Sequence, residues 1–315
     1  MNRVCTPLAA AAGRRALLAQ RALSGAPKSA FEKYDTTSAV YDAARRPIAI
    51  EHLRATLTDL SAAHGVAMGA GGGMRVLDAG CGTGNYLVPL NSMLGAGAVS
   101  GIEASSGMLA KAQAKFADGE VDLAQGSIMK MPHADETFHA VVINQVLHHL
   151  TLGERSEKGG VEWDALESAI AEVVRVLKPG GALVVNTQDP VQHVDGFWWS
   201  DICPNAAATL ASRFPAVPAF VERLDAHGFE RAVSHVPSEP LMALEVYTDV
   251  TGPFRESWRN GDSTWSLATP AELERGLAKH RARVDAGEAE HFLAERELLR
   301  ADVGQTTTIT AFKKQ

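Results

Sequence analysis

A glycine-rich run beside an acid is the first feature of this 315-residue chain that could do chemistry. Asp78 lies in an apolar stretch typical of a buried strand, and Gly80, Gly82 and Gly84 follow it. Glycine tolerates positive φ and lets the backbone approach a ligand without a Cβ in the way. A helix that begins after such a turn presents unpaired N–H groups to a ligand. The spacing predicts a nucleotide-like ligand on residues 80–84, named here the glycine turn.

A second acid, Glu103, ends the next apolar stretch about twenty residues further on, where it could accept hydrogen bonds from both hydroxyls of a ribose. Two features argue against a dinucleotide. Asn85 stands where a dinucleotide fold needs its third glycine, and the Asp78 carboxylate would repel a pyrophosphate. A ligand with a zwitterionic amino-acid end can use that carboxylate. The charges therefore favour a ligand with a positive group.

The elements that must position these residues alternate between strand and helix patterns, which is typical of a parallel sheet. We expect one α/β domain with a doubly wound, mostly parallel seven-stranded sheet and a helical insertion before the last strand. The predicted strands are 74–79, 98–103, 121–125, 139–144, 182–187, 231–237 and 306–312. The predicted helices include 38–63, 105–116, 163–177, 217–227, 270–284 and 288–301, and one that ends at residue 94.

Composition narrows the class of partner. The net charge of −7 argues against a nucleic-acid partner, which usually requires a basic face. No apolar run approaches the ~20 residues that cross a bilayer. The three cysteines are far apart and form no CxxC pair, which excludes a disulfide framework and a structural zinc site. We expect a small-molecule partner and no bound metal. The oligomeric state stays open.

The first 31 residues differ from the rest of the chain. They carry five basic residues among Ala and Leu and no acid before Glu32. This composition is typical of an organellar transit peptide, with the mitochondrion expected and the plastid or the cytoplasm as alternatives. A frayed N-terminus is the other interpretation.

Residues 74–187 resemble the class I S-adenosylmethionine-dependent methyltransferases, in particular the broad group that includes the ubiquinone/menaquinone-biosynthesis enzymes. Four segments carry the resemblance in the family's order: VLDAGCGTG, GIEASSGML, QGSIMKMPHADETFHAVVINQVLHHL and EVVRVLKPGGALVV. The resemblance implies S-adenosylmethionine as cofactor. It places Asp78, Gly80 and Gly82 at the methionine and sulfonium end, and Glu103 at the ribose.

The resemblance also implies further cofactor-binding residues. Ser127 and the N–H of Ile128 would face the adenine edge, although family members commonly carry Asp where this chain has Ser127. The segment YDTTSAVYDAARRP resembles a short helix that closes over the cofactor in this group. The remaining candidates for cofactor binding are Gly84, Asn144, Tyr41 and Arg45, with Tyr34 beside the last two.

The expected organisation has four parts. Residues 1–31 are the transit segment, and residues 32–73 form a helical cap with a glycine-rich loop. Residues 74–238 and 304–315 form the cofactor-binding core. Residues 239–303, named here the insertion, are expected to cover the acceptor. Four tryptophans either line an apolar substrate pocket or anchor loops to the core, and both interpretations stay open: Trp198, Trp199, Trp258 and Trp265.

His148 and His149 follow the fourth predicted strand, where substrate meets cofactor in this fold, so either could be a general base. A helix-capping or surface role is the alternative. The sequence NQVLHH differs from the (N/D)PP(Y/F) of amino-methylating enzymes, and no acidic cluster suggests a catechol-type metal site. A small, apolar organic acceptor follows by elimination. The alternatives are a catalytically silent relative that acts in assembly or regulation and, more distantly, a nicotinamide oxidoreductase.

Overall fold

The computed structural model describes residues 46–151 and 163–315. The transit segment and the candidates Tyr34, Tyr41 and Arg45 lie outside these described residues. In the described ranges no helix is both long enough and apolar enough to span a membrane.

Seven strands form one sheet in the order β3-β2-β1-β4-β5-β7-β6. Strands β1 to β5 pair in parallel, and β7 lies antiparallel between β5 and β6. The predicted doubly wound, mostly parallel sheet is confirmed. The strands are β1 Val76–Ala79, β2 Val99–Glu103, β3 Val121–Gln125, β4 Phe138–Asn144, β5 Leu177–Thr187, β6 Phe229–His235 and β7 Thr307–Lys313.

Helices cover both faces of this sheet and form the insertion. Short 3₁₀ turns occupy Trp198–Asp201 and Gly252–Phe254. The α-helices are α1 Ile50–His64, α2 Leu87–Leu94, α3 Ser106–Gln113, α4 Leu147–Leu150, α5 Asp164–Val176, α6 Pro190–Asp195, α7 Pro204–Ala211, α8 Val217–Ala226, α9 Leu244–Tyr247, α10 Glu256–Arg259, α11 Thr264–Leu267, α12 Pro270–Asp285 and α13 Ala289–Val303.

Alternation along the strands divides the core between the two faces. Successive side chains of a strand point to opposite faces, so Val76 packs with α1 and α2 while Leu77 packs with α5 and α8. All four residues of β1 are buried. Burial on both faces explains why the sequences of the parallel strands are continuous apolar runs. This packing fixes the carboxyl ends of the strands, from which the site is built.

The helix predicted from residue 38 to 63 is wrong where its first half can be observed. Residues 46–49 are not helical, and α1 begins only at Ile50. Pro47 disfavours helical φ and ψ at the residue before it. Ala49 has a left-handed backbone with φ 55°, so the chain turns before it enters the helix.

The helices α6 and α7 were not predicted, although the sequence carries signals for both. Asp189 caps α6 in a capping box with Gln192, and Pro190 occupies the first turn. Pro204 likewise stands in the first turn of α7. An acid, a proline and a glutamine at this spacing are a helix-start signature.

The insertion leaves and re-enters the core at neighbouring points. The N–H of Leu241 donates to Oε1 of Gln305 at 2.7 Å, so the beginning of the insertion lies beside a residue two positions before β7. Because β7 is antiparallel, its first residue, Thr307, pairs with Thr187 at the end of β5. The insertion therefore lies at the edge of the sheet where the parallel strands end.

Candidate cofactor and acceptor site

The glycine turn is held against the end of β2. The N–H groups of Gly80 and Cys81 both donate to the carbonyl of Ile102, at 2.8 and 3.0 Å. Gly80 has φ +84°, and a Cβ there would lie 2.6 Å from Cγ2 of Val146. The turn thus requires glycine at position 80 both for its backbone conformation and for the close approach of the segment after β4.

Glu103 is bonded directly to the glycine turn. Its Oε2 accepts from the N–H of Gly82 at 2.9 Å, and its Oε1 accepts from the N–H of Ser105 at 2.7 Å. A carboxylate oxygen has more than one acceptor site, so both oxygens can accept a further donor. The carboxylate is therefore fixed in place and retains the capacity to bind a pair of ribose hydroxyls.

Asp78 is a buried acid beside the turn. Only 1% of the residue is exposed, and its Oδ1 has no hydrogen-bond partner within the part of the chain that the structure describes. Burial raises the pKa of Asp78 to about 7, the Glu103 carboxylate adds to this rise, and the Asn144 side chain opposes it. A buried acid of this kind is stabilised by a cationic partner.

These residues fit S-adenosylmethionine. Asp78 offers an unpartnered oxygen to a positive group, the glycine turn offers open backbone at Gly82, and Glu103 offers two acceptors. Thr187, at the end of β5, is also buried with its Oγ1 unpartnered among the described residues. Unpartnered buried polar atoms are uncommon in folded proteins, and two of them at the carboxyl ends of β1 and β5 mark a ligand crevice.

The loop after β3 continues this crevice. The N–H of Gly126 donates to the carbonyl of Glu103, and the Oγ of Ser127 accepts from the N–H of Met129 at 3.2 Å. The Ser127 hydroxyl keeps a donor hydrogen and a further acceptor site. The side chain of Ile128 is buried in the core, which leaves its backbone as the part that can face a ligand. Gly84 lies apart from these groups, against Ala112 of α3.

His148 and His149 lie on α4, directly after β4. Their ring centroids are 4.0 Å apart, and the buried His148 ring packs on Phe214 at 4.7 Å. Burial lowers the pKa of His149 to about 4, with the Glu103 carboxylate acting against this change and Arg213 adding to it. His149 is therefore neutral near pH 7 and lies within electrostatic reach of Glu103. A neutral imidazole can accept a proton, although a pKa this low makes it a weak base.

Gln145, which the sequence reasoning missed, shapes the end of β4. Its φ is +55°, a strained value for a residue with a side chain. Its N–H donates to the carbonyl of Asn186 at 2.8 Å, and its Nε2 donates to Oδ1 of Asn186 at 2.7 Å. These bonds hold the strained turn that places Val146 against Gly80. A positive φ at glutamine has no signal in the sequence.

Tyr86 connects the glycine turn to the segment before α1. Its hydroxyl accepts from the N–H of Ile48 at 3.0 Å and donates to the carbonyl of Ile48 at 3.3 Å. Two residues earlier, Arg46 pairs with Glu245 of the insertion at 3.0 Å. The segment at residues 46–48 therefore runs between the glycine turn and the insertion.

The tryptophans form a buried aromatic cluster. The indole N–H groups of Trp198 and Trp258 donate to the carbonyls of Tyr247 and Val246, at 2.8 and 3.1 Å. Trp265 packs edge-on against Trp258, with ring centroids 5.8 Å apart. Of the two open readings, these contacts favour the anchoring role.

Comparison with known proteins matches the central part of the chain to one kind of domain. Residues 77–185 match the model of a methyltransferase domain. A demethylmenaquinone methyltransferase of Staphylococcus aureus is 36% identical over 130 residues, which cover 40% of this chain and 48% of that protein. A ubiquinone/menaquinone biosynthesis C-methyltransferase of Desulfotalea psychrophila is 32% identical over 124 residues, with 39% and 45% covered. The chain thus spans about half the length of these relatives.

The fold has counterparts among solved structures. A candidate methyltransferase from an antibiotic biosynthesis pathway of Anabaena variabilis superposes with a TM-score of 0.64 over 85% of this chain and 98% of that protein, at 20% identity. The motifs around Asp78 and Glu103, the strand order and these matches agree. Residues 77–185 carry a methyltransferase domain of the class I fold, and its site fits S-adenosylmethionine as cofactor.

Proposed function

We propose that the chain transfers the methyl group of S-adenosylmethionine to a small, apolar organic acceptor. The proposal takes a quinol ring as the first acceptor to test, because two relatives are named for methylation in menaquinone and ubiquinone biosynthesis. The sulfonium of S-adenosylmethionine supplies an already activated methyl group. The chain's own residues must then bind the cofactor, orient the acceptor and exclude water.

The buried Asp78 carboxylate is the observation that carries this proposal. It lies beside a second carboxylate and keeps an oxygen unpartnered, so the site has an unbalanced negative charge. A cationic ligand balances this charge, whereas a pyrophosphate would be repelled by it. This electrostatic arrangement also disfavours the nicotinamide alternative.

The acceptor side of the proposed site presents uncharged aromatic rings, with the Arg213 guanidinium near enough to lower the pKa of His149. His149 carries no charge near pH 7, and His148 and Phe214 continue the surface behind it. Such a wall suits an uncharged ring better than an ionic acceptor. In the proposal the insertion lies over this wall and keeps water from the reacting atoms.

His149 is proposed as the group that removes a proton from the acceptor. A quinol hydroxyl that loses its proton raises the electron density at the adjacent ring carbon. If that carbon took the methyl group, the carbon–sulfur bond of the cofactor would break and S-adenosylhomocysteine would leave. The ring carbon would then lose its own proton and the oxygen would regain one, which restores the aromatic quinol. A developing phenolate would favour the imidazolium and so raise the pKa of His149 from its low value. A base of this kind typically contributes ~10²–10⁴-fold to the rate.

The experiment has a binding arm and a transfer arm. Calorimetry measures S-adenosylmethionine binding to the whole chain. Transfer of a radiolabelled methyl group is then assayed with reduced demethylmenaquinone bearing a short side chain, with Glu103→Gln as the binding-deficient control. Product with the parent chain alone supports the proposal. Tight cofactor binding with no transfer, either to this quinol or to a metabolite extract, would instead support the silent relative. The absence of binding would overturn both.

We propose further that the N-terminal segment directs the chain to the mitochondrion. The support is compositional: basic residues in an Ala- and Leu-rich segment with no acid before Glu32.

A further inference from the structure

Between the end of β5 and the insertion lies a buried histidine that the sequence motifs do not include. His193, on α6, is 3% exposed. Its Nδ1 lies 2.9 Å from Oε1 of Gln188, just after β5, and its Nε2 lies 3.3 Å from the hydroxyl of Thr264 in the insertion. Gln188 and Thr264 are buried as well. One imidazole ring thus bonds a residue of the core with one nitrogen and a residue of the insertion with the other.

The donor and acceptor roles of this ring follow from its partners. The Oε1 of Gln188 accepts hydrogen bonds and cannot donate, so Nδ1 of His193 carries the proton in the neutral ring. Nε2 is then the acceptor for the Thr264 hydroxyl. A ring that is bonded at both nitrogens cannot rotate without the loss of a buried hydrogen bond.

Aromatic contacts connect the same ring to the proposed acceptor side of the site. Phe214 stacks on His193 with a centroid distance of 5.6 Å and an interplanar angle of 21°. Phe214 in turn packs on His148 at 4.7 Å, and His148 packs on His149 at 4.0 Å. An unbroken series of rings therefore joins the insertion to the histidine proposed to face the acceptor.

We propose that His193 is a positioning residue that couples the placement of the insertion to the orientation of the His148–His149 pair. When the insertion moves, the hydrogen bond to Thr264 moves the His193 ring with it. The contact of that ring with Phe214 then moves the His148 ring. This inference rests on the proposed function for its kinetic consequence. Its structural consequence, a change at His149 when the Thr264 bond is removed, does not depend on any acceptor.

The test removes this bond from each side. His193→Asn places an amide near the position of Nδ1 and so retains a partner for Gln188, but it cannot reach Thr264. Thr264→Val removes the hydroxyl from the other partner and conserves the side-chain shape. His291→Asn, at an exposed position on α13, is the matched control. Each variant is made in the whole chain, together with the His193→Asn/Thr264→Val double variant.

The first readout is the titration of the His149 ring by NMR with S-adenosylmethionine bound. Weaker packing of His148 admits water, so the pKa of His149 should rise by roughly one unit in His193→Asn and in Thr264→Val. The double variant should shift no further than His193→Asn, because that single variant has already lost the Thr264 bond. The control should match the parent.

The second readout is the methylation of reduced demethylmenaquinone. Both single variants should lower kcat about tenfold or more while the Kd for S-adenosylmethionine stays within about twofold of the parent. If the parent methylates neither this quinol nor a metabolite extract, the proposed function fails and the titration still decides the coupling. An unchanged pKa of His149 in Thr264→Val would overturn the proposed coupling. A pKa shift in the double variant equal to the sum of the two single shifts would overturn it as well. The conservative Thr264→Val change keeps the test available if His193→Asn does not fold.

Discussion

Replacing Asp78 with Asn tests the electrostatic basis of the cofactor site. The pKa of Asp78 rises from 3.8 to about 7 on folding, which corresponds to about 4 kcal/mol at ~1.36 kcal/mol per unit. Because the folded protein binds this proton more tightly than the unfolded chain, its stability falls as pH increases from about 4 to about 7. The full destabilisation is therefore present above pH 7 and absent below about pH 4.

Asp78→Asn should remove this destabilisation. The new amide brings a buried donor that costs roughly 1–3 kcal/mol if it is not bonded, so we expect a net stabilisation of about 1–3 kcal/mol near pH 8. Near pH 4, where Asp78 is protonated and causes no such loss, only the amide cost remains, so the variant should be no more stable than the parent and up to about 3 kcal/mol less stable. Urea denaturation of the cofactor-free parent and variant at the two pH values measures it, with an unchanged m-value as the control for two-state unfolding.

The same charge should make cofactor binding depend on pH. With a pKa of about 7, Asp78 is ionised in about one molecule in eleven at pH 6 and in about ten of eleven at pH 8. The parent should therefore bind S-adenosylmethionine about tenfold more tightly at pH 8 and release a proton on binding near pH 6. Asp78→Asn should bind more weakly than the parent at pH 8 and lose the dependence. A variant that binds as tightly as the parent at pH 8 and is no more stable would refute the assigned role of Asp78.

Four further outcomes are expected. Glu103→Ala should cost about 2–3 kcal/mol of S-adenosylmethionine binding by calorimetry, because two charge-assisted bonds are lost; unchanged affinity in a folded variant would remove Glu103 from the site. Gly80→Ala should lower the unfolding free energy by more than about 3 kcal/mol, whereas Gly119→Ala, which has a similar φ and open space around it, should cost only about 1–2 kcal/mol; equal costs would contradict the contact with the segment after β4. Burial lowers the pKa of His139 to about 4, so this residue should contribute a loss of stability as pH falls from about 6.5 towards 4, opposite to the contribution of Asp78; His139→Asn should lack this loss, which the difference between parent and variant in urea denaturation measures. A fluorescent protein fused to residues 1–35 should enter mitochondria, and a diffuse cytosolic signal would reject the transit segment.

The sheet and the cofactor side of the site could be predicted because local patterns determine them. Apolar runs buried on both faces identify the strands, and a glycine turn between an acid and a helix has few other uses. Asp78, Gly82 and Glu103 are brought together by the parallel pairing of β1 with β2, which the alternating pattern already predicts. The sequence alone therefore predicts that these three residues lie together.

The proposed acceptor side could not be predicted because contacts distant in sequence determine it. His193, Phe214 and Thr264 have no common spacing, and only the packing of α6, α7 and the insertion brings them together. The positive φ of Gln145 likewise depends on its bonds to Asn186. Tertiary contacts override local preference at such positions.

The neighbouring ends of the insertion have an evolutionary consequence. Leu241 and Gln305 are hydrogen-bonded to each other, so the segment between them closes on itself beside the edge of the sheet. The entropic cost of closing a segment between two fixed ends rises only slowly with the length of that segment. A lineage could therefore exchange this segment while β5 and β7 keep their register. If the proposed function holds, the core that binds the methyl donor and the segment over the acceptor could change independently of each other.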